Sequence, residues 1–407
     1  MAAMNGSSEP ARVLLGVTGG IAAYKACELA SLLTQRGFNV RAVMSQAAKS
    51  FVGPMTLGAL TGNPVSETMF DPGQKAAINH IELARWANAV VVAPATANFI
   101  AKTACGLADD LLSTILLATS ASVLLAPAMN THMWEHPTVA KNLARLQARG
   151  VRSVGPGLGR TACNEEGYGR MVEPAEIAEA LYALLCPKDL AGLSLVVSAG
   201  PTREHLDPVR FISNPSSGRT GIEIARVAAR RGAKVSLVLG PSHLAPPAGV
   251  KTIRITSAQE MYQSVMAESE SAQVVVKAAA VSDFTPLHNY SHKVKKKAGQ
   301  GENLELVHTT DILAELGRNK AGRLLVGFAA ETTDVLAYAA MKLKAKNLDL
   351  LVANDVSDPQ SGFAVPTNRV HFLFADGSLE ALPLLSKEEI ADRLLDRVAA
   401  LLGQAAA

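Results

Sequence analysis

Residues able to do chemistry gather in two sets along this 407-residue sequence, one in each half. In the first half, His80 stands beside Ile81 in INHIELARWAN, an apolar setting that favours a neutral imidazole able to act as a base. The segments PATAN (Pro94 to Asn98) and PAMNTHMW (Pro127 to Trp134) each put hydroxyl and amide groups directly after an apolar run. Convergent groups of that kind suit a flavin ring and a small substrate. Cys163 lies in ACNEEGYGRM, a Gly-containing loop that ends at Arg170, so its thiol is expected to be exposed, near positive charge and on a moving segment. Without that loop a small buried hydrophobe would be the better reading of this cysteine. His132 and His136 are four apart, but Pro137 and the lack of a third ligand argue against a metal there.

In the second half, SAGPTREHLDPVRFISNPSSGRTG is long for a strand-to-helix turn, and its end, SNPSSGRTG, is a natural anion nest. The run Lys293-Val-Lys-Lys-Lys297 is either a solvated face or a flap that folds over a triphosphate. Lys342 and Lys346 share a helix face by their spacing. They can reach one phosphate chain or simply favour a helix C-terminus.

These sets need elements to hold them. VLLGVTGGIAAYKACELASLLTQRGFNVRAVMS reads strand, Gly-rich turn, amphipathic helix, Arg-Gly stop, strand, and LSLVVSAGP with SSGRTGIEIARVAARRGAKVSLVLGP repeats that design. The predicted fold class is α/β, with two doubly wound sheet domains in tandem, flavodoxin-like or Rossmann-like. Turn residues from Cys186 to Gly192 mark the seam, giving a disordered tail over 1–11 and domains over 12–189 and 190–407. Further strands are expected at AVVVAPA and SVLLAPAM, then at TIRI, QVVVKAAA, LLVGFAAE and LDLLVAND, with a hairpin at VHFLFADGSLEALPL and a closing helix from Lys387 to Leu402. The polar stretch Pro286 to Glu302 breaks this rhythm and is expected to be a mobile loop, a candidate lid. Neither half combines GxGxxG with an acidic residue ending the second strand, so a nucleotide other than NAD is expected at the Gly-rich turns.

Composition narrows the class. Apolar residues make up 48% and aromatics only 4%, as suits helices packed closely on parallel sheets. A net charge of +3 gives no reason to expect nucleic acid or an anionic membrane as partner. Cys27, Cys105, Cys163 and Cys186 form no CxxC pair, which argues for a reducing, cytoplasmic setting and against a zinc knuckle. No signal peptide is read at the N-terminus, and apolar stretches such as Ile115 to Met129 are interrupted and short of the roughly 20 residues a membrane span needs.

Taken in order, VTGGIAAYK, NHIELARWAN, PATAN, PAMNTHMW and ACNEEGYGRM closely resemble the FMN-binding phosphopantothenoylcysteine decarboxylases over most of residues 12 to 186. The resemblance implies that His80 is a base, that Asn130 binds the substrate carboxylate, and that Cys163 lies on a clamp and donates a proton. It assigns FMN contacts to Gly19, Gly20, Ser45, Thr96, Asn98 and Ala128. Direct loss of carbon dioxide would leave a carbanion without an electron sink. In such enzymes the flavin oxidises the thiol to a thioaldehyde that accepts the electron pair, and is reoxidised once the enethiolate is protonated. Gly20 stands where relatives often have Ser, and Asn164 where Gly is common.

SAGPTRE, DPVRFISNPSSG, AAAVSDF, KVKKK, VGFAAET and NDV together resemble the phosphopantothenate–cysteine ligases over nearly all of residues 190 to 402. That resemblance implies that Asn214, Ala279 and Ala280 surround phosphopantothenate and its activated form, with Arg210 nearby. Asp283, Lys293, Phe328, Lys342, Lys346 and the stretch Thr310, Asp311, Ile312 and Leu313 would hold CTP with Mg2+ or Mn2+. Lys293 would stabilise transition-state charge, while Lys277 is unusual before the Ala triplet. Such decarboxylases form trimer-based assemblies with FMN at subunit contacts and such ligases form dimers, so a homo-oligomer, a dodecamer, is expected. Two other readings are a flavin-binding regulatory subunit without catalysis and an NAD-dependent oxidoreductase. The presence of His80, Asn130 and Cys163 speaks against the first, and a flavin spectrum without nicotinamide dependence would dispose of the second.

Overall fold

The structure, a computed structural model, describes residues 9–69, 79–160, 165–295, 303–331, 334–355 and 365–403. It divides into two compact units, Met1–Pro187 and Lys188–Ala407.

The first unit is built on five parallel strands, β1 (Arg12–Val17), β2 (Asn39–Met44), β3 (Ala89–Ala95), β4 (Ser122–Pro127) and β5 (Arg152–Ser153), in the order β2-β1-β3-β4-β5. All seven residues of β3 are buried, because a strand covered by helices on both faces has no solvent side on which to alternate. Val13, Leu15 and Val17 pack on one face with Leu29 and Leu33 of the helix Ala23–Gln35. Leu14, Val90 and Val92 pack on the other with Ile100 and Leu112. The chain winds outward from β1 to β2 and then crosses back to β3, so the crevice at the carboxyl ends of β1 and β3 is the topological switch point. Beyond the sheet, β6 (Gly157–Arg160) pairs antiparallel with β7 (Glu166–Arg170).

The second unit has an eight-stranded sheet. Its strands are β8 (Ser194–Ala199), β11 (Lys234–Leu239), β12 (Lys251–Arg254), β13 (Val274–Lys277), β16 (Leu324–Glu331), β17 (Leu350–Asp355), β19 (Val370–Phe374) and β20 (Leu379–Ala381). The order is β12-β11-β8-β13-β16-β17-β19-β20, with the first six parallel and β19 antiparallel to both of its neighbours, β17 and β20. Here the switch point lies between β8 and β13. Short ribbons complete the unit: β9 (Arg203–His205) with β10 (Phe211–Ser213), β14 (Phe284–Pro286) with β15 (Leu306–His308), and β18 (Thr367–Asn368) with β21 (Leu385–Ser386). The long turn after β8 therefore folds as a hairpin.

The stretch read as a mobile loop differs from that expectation over its described part. Tyr290 N–H donates to the Leu206 carbonyl at 2.9 Å and Val294 N–H to Asp207 Oδ2 at 3.1 Å, while the Val294 carbonyl accepts from Arg210 at 2.7 Å. These anchors lie more than eighty residues away in sequence, where local polarity gives no hint of them. Residues 296–302 lie outside the described residues. Among the described residues no helix is long and apolar enough to cross a membrane.

Candidate active sites

Each switch point opens into a cavity. The first, of about 890 Å3, collects Gly19, Gly20, Ser45, Thr96, Asn98, Ala128 and Asn130 from four separate loops. Thr18 ties two of those loops together: its buried hydroxyl donates to the Pro94 carbonyl at 2.7 Å and accepts from Thr96 N–H at 3.3 Å. Thr96 in turn caps the helix Ala97–Cys105, accepting from Phe99 N–H. The helix Ala23–Gln35 also begins at this wall, next to the lining residues Ile21 and Ala22. Two helix N-termini thus present partial positive charge to one space, an arrangement that favours a phosphate.

Gly19 is required by a close approach, because a Cβ there would stand 2.4 Å from the Cβ of Ala47. At Gly20 the nearest atom to such a Cβ is Thr96 Cγ2 at 3.7 Å, an ordinary contact that leaves room for a small side chain. Ser45 caps the short turn Gln46–Ser50. Ala128 N–H donates to the Ala95 carbonyl at 3.1 Å, and Met129 N–H donates to the Gly169 carbonyl at 2.9 Å, which brings β7 to the rim. Asn130 Oδ1 accepts from His132 N–H at 2.9 Å, and its amide donates to the Glu165 carboxylate.

The Gly-loop reading passed over Lys25, which is buried in the cavity wall and paired with Glu173 at 2.9 Å. Hydrogen bonding from Lys25 holds the Glu173 carboxyl below its usual range against the opposing effect of burial. His80 sits on the helix Asn79–Trp86 and is not among the described residues that line this cavity, and its buried Nδ1 finds no hydrogen-bond partner among the described residues. Cys163 lies outside the described residues.

The second cavity, of about 560 Å3, is lined by Asn214, Ala279, Ala280, Asp283, Thr310, Asp311, Ile312, Leu313, Phe328, Lys342 and Lys346. Asn214 donates its amide to the carbonyls of Ala280 at 3.3 Å and Val281 at 3.1 Å, so the anion nest is fastened to the loop leaving β13. Asp311 caps the helix Ile312–Arg318 and pairs with Lys346 at 2.8 Å. Burial raises the Asp311 pKa, but the Lys346 and Ala314 hydrogen bonds outweigh it and hold the carboxyl low. Lys342 lies in the last turn of the helix Val335–Ala345 and Lys346 caps it, and both line this cavity.

Arg210 and Lys293 do not line this cavity. The Arg210 guanidinium is committed to Asp207, at 3.0 and 2.6 Å, and Lys293 is exposed on the anchored stretch. Among the described residues no group of three His, Cys, Asp or Glu side chains is placed to hold a metal.

Two family models match the chain: "Flavoprotein" over residues 1–186 and "DNA/pantothenate metabolism flavoprotein C-terminal domain" over residues 190–402. A "Coenzyme A biosynthesis bifunctional protein CoaBC" of Vibrio parahaemolyticus is 45% identical, covering 95% of this chain and 97% of the relative. Its namesake from Bacillus subtilis is 46% identical, covering 96% and 97%. Among solved structures, the C-terminal domain of a protein of that name matches with 42% identity and a TM-score of 0.46, over 53% of this chain and 98% of the other.

Proposed function

The chain belongs to the bifunctional CoaBC family of coenzyme A biosynthesis proteins, and from that membership we propose two reactions, one in each domain. The domain over 190–407 joins 4'-phosphopantothenate to L-cysteine with CTP. The domain over 12–189 then decarboxylates the product to 4'-phosphopantetheine with FMN. The observation that carries this reading is that Gly19, Gly20, Ser45, Thr96, Asn98, Ala128 and Asn130 share the cavity at one switch point, and Asn214, Ala279, Ala280, Asp283, Phe328, Lys342 and Lys346 the cavity at the other.

The first cavity suits FMN by its own features: the bare Gly19 lets its turn pack directly against Ala47 in the cavity wall, and two helix N-termini face the same space, as a phosphate requires. Bound there, FMN supplies the redox chemistry that gives the decarboxylating carbon an electron sink. Gly19, Gly20, Ser45, Thr96, Asn98 and Ala128 hold it. Asn130 orients the substrate carboxylate, a role supported by the carboxylate its amide already receives from Glu165. Cys163 returns the proton to carbon. His80 is the base, and its place off the wall of its own chain's cavity fits delivery to a neighbouring copy, as FMN sites at subunit contacts in a trimer require.

In the second domain the phosphopantothenate carboxylate attacks the α-phosphorus of CTP, pyrophosphate leaves, and the cysteine amine displaces CMP from the acyl-cytidylate to form the amide. Lys342 and Lys346 neutralise phosphate charge, with Mg2+ or Mn2+ travelling on the triphosphate. Asp283, Phe328 and Thr310 to Leu313 hold the nucleotide, while Asn214, Ala279 and Ala280 hold the acid. Lys293 comes to the site from the anchored stretch and Arg210 from the loop between β9 and β10, or both come from a second copy. Exposed apolar side chains on the ribbons, Phe211, Phe284 and Leu306, support a dimer contact in this unit. Trimers and dimers together give a cytoplasmic dodecamer, which light scattering would measure.

A coupled assay with phosphopantothenate, cysteine, CTP and magnesium tests the whole, with release of carbon dioxide and phosphopantetheine expected. Cys163→Ser is expected to abolish decarboxylation while leaving pyrophosphate release intact. Full-rate decarboxylation by that variant would remove the assignment, and equal turnover of ATP would remove the CTP preference.

A further inference from the structure

Lys277 is a cation without a counter-ion in the wall of the second cavity. It ends β13 at the switch point, opposite Ser198 of β8 and Gly327 of β16. Strand alternation puts it on the face of Val275, which packs with Leu313 and Leu351 under the helices Ile312–Arg318 and Val335–Ala345. Its ammonium donates to one acceptor, the Ala279 carbonyl at 3.1 Å, and forms no ion pair among the described residues. An ammonium carries three donors. Lys346, by contrast, has a counter-ion in Asp311. A partly buried ammonium with donors to spare, in a cavity that ends in an anion nest, is an incomplete site until an anion arrives.

We propose that Lys277 is a phosphate-binding residue of this cavity, donating to a phosphoryl oxygen of the bound nucleoside triphosphate. The inference rests on the nucleotide reading of the second domain. Loss of hydration, together with repulsion from Lys346, brings the Lys277 pKa down to about 8, against the attraction of Asp311 and Asp283. Lys342, His308 and Arg219 complete the charged groups that line the cavity. A polyphosphate reverses that balance, so Lys277 takes up a proton as the nucleotide enters. Affinity should therefore fall as pH rises through about 8, where the triphosphate is itself fully ionised.

The test is calorimetric titration of the intact protein with CTP and magnesium from pH 7 to 9, in two buffers of different ionisation enthalpy. Wild type is expected to take up a fractional proton that grows towards pH 8.5, and to lose affinity over that range. Lys277→Met is expected to bind on the order of tenfold more weakly at pH 7, with a flat pH profile and no uptake. Its melting temperature should be unchanged or higher, since a poorly hydrated charge has been removed. If wild type binds CTP with no proton uptake, or if the variant matches it in affinity and pH profile, Lys277 is not a phosphate ligand. Failure of wild type itself to bind CTP would instead overturn the nucleotide reading on which the proposal stands.

Discussion

Gly19 and Gly20 are neighbours in one turn, yet an added methyl group meets different surroundings at each. At Gly19 it collides with Ala47, part of the loop after β2, and something in the flavin wall must shift. At Gly20 it makes an ordinary contact, 3.7 Å from Thr96 Cγ2. Gly19→Ala should therefore purify with little bound flavin, whereas Gly20→Ser should keep its full complement, as read from visible absorbance against protein. Equal flavin content in the two would contradict the cradle. A second residue-scale prediction concerns Asp207, which is fully buried. Burial pushes its pKa up, but Arg210 and the N–H groups of Val209, Val294 and Arg210 more than reverse this, leaving it well below its ordinary 3.8. A carboxyl with a depressed folded pKa stabilises the fold at every pH above its ordinary value and gives that up as pH falls below it. Asp207→Asn should lower the melting temperature at pH 7 and pH 5 alike, and the gap to wild type should close below about pH 4. At this scale the Gly turn and the hydroxyl and amide groups of PATAN and PAMNTHMW were legible because residue type and their place after an apolar run point to them. Lys25 and Thr18 were not, because their partners lie 148 and 76 residues away.

The Arg-Gly pairs that end the first crossover helix of each unit do more than stop it. Gly37 and Gly232 take the left-handed conformation that helix ends favour, with φ of 84° and 93°. The arginines before them reach the terminal helix of their own unit. Arg36 pairs with Glu179 at 3.2 Å and lies over the Tyr182 ring, both on the helix Pro174–Leu185. Arg231 pairs with Asp392 and Asp396 of the helix Lys387–Leu401, and with Asp189 at the start of the unit. Arg231→Met should cost about 1–3 kcal/mol, less than the loss of a fully enclosed pair because the three aspartates are partly hydrated. A lower urea midpoint for the second unit checks this, and an unchanged midpoint would show the network to be inert. The large elements were legible from unbroken apolar runs such as AVVVAPA, which becomes β3, and LDLLVAND, which becomes β17. The ribbons were not. Three-residue strands such as REH and FTP carry too short a pattern to show a period, and their pairing is decided by partners elsewhere in the chain.

At the scale of the whole chain, the order of the domains runs against the order of the proposed reactions, since the second must make what the first consumes. The described lining of each cavity is drawn from one unit alone, from Thr18 to Met171 in the first and from Asn214 to Asn368 in the second. The proposed delivery of His80 from a neighbouring copy would keep that separation, because His80 belongs to the first unit of whichever chain supplies it. Each unit also closes its own sheet and core, so cutting between Pro187 and Lys188 should leave two folded proteins. Residues 1–187 should retain flavin, and residues 188–407 should release pyrophosphate from CTP when phosphopantothenate is supplied. Mixed in equal amounts, the fragments should reach the same steady rate of phosphopantetheine formation as the intact chain. A lag should precede it while the diffusing intermediate builds up to the KM of the decarboxylase, for enzymes about 1 μM to 1 mM. A steady rate that stays well below that of the intact chain, with each fragment fully active alone, would mean that the link at the seam passes the intermediate directly.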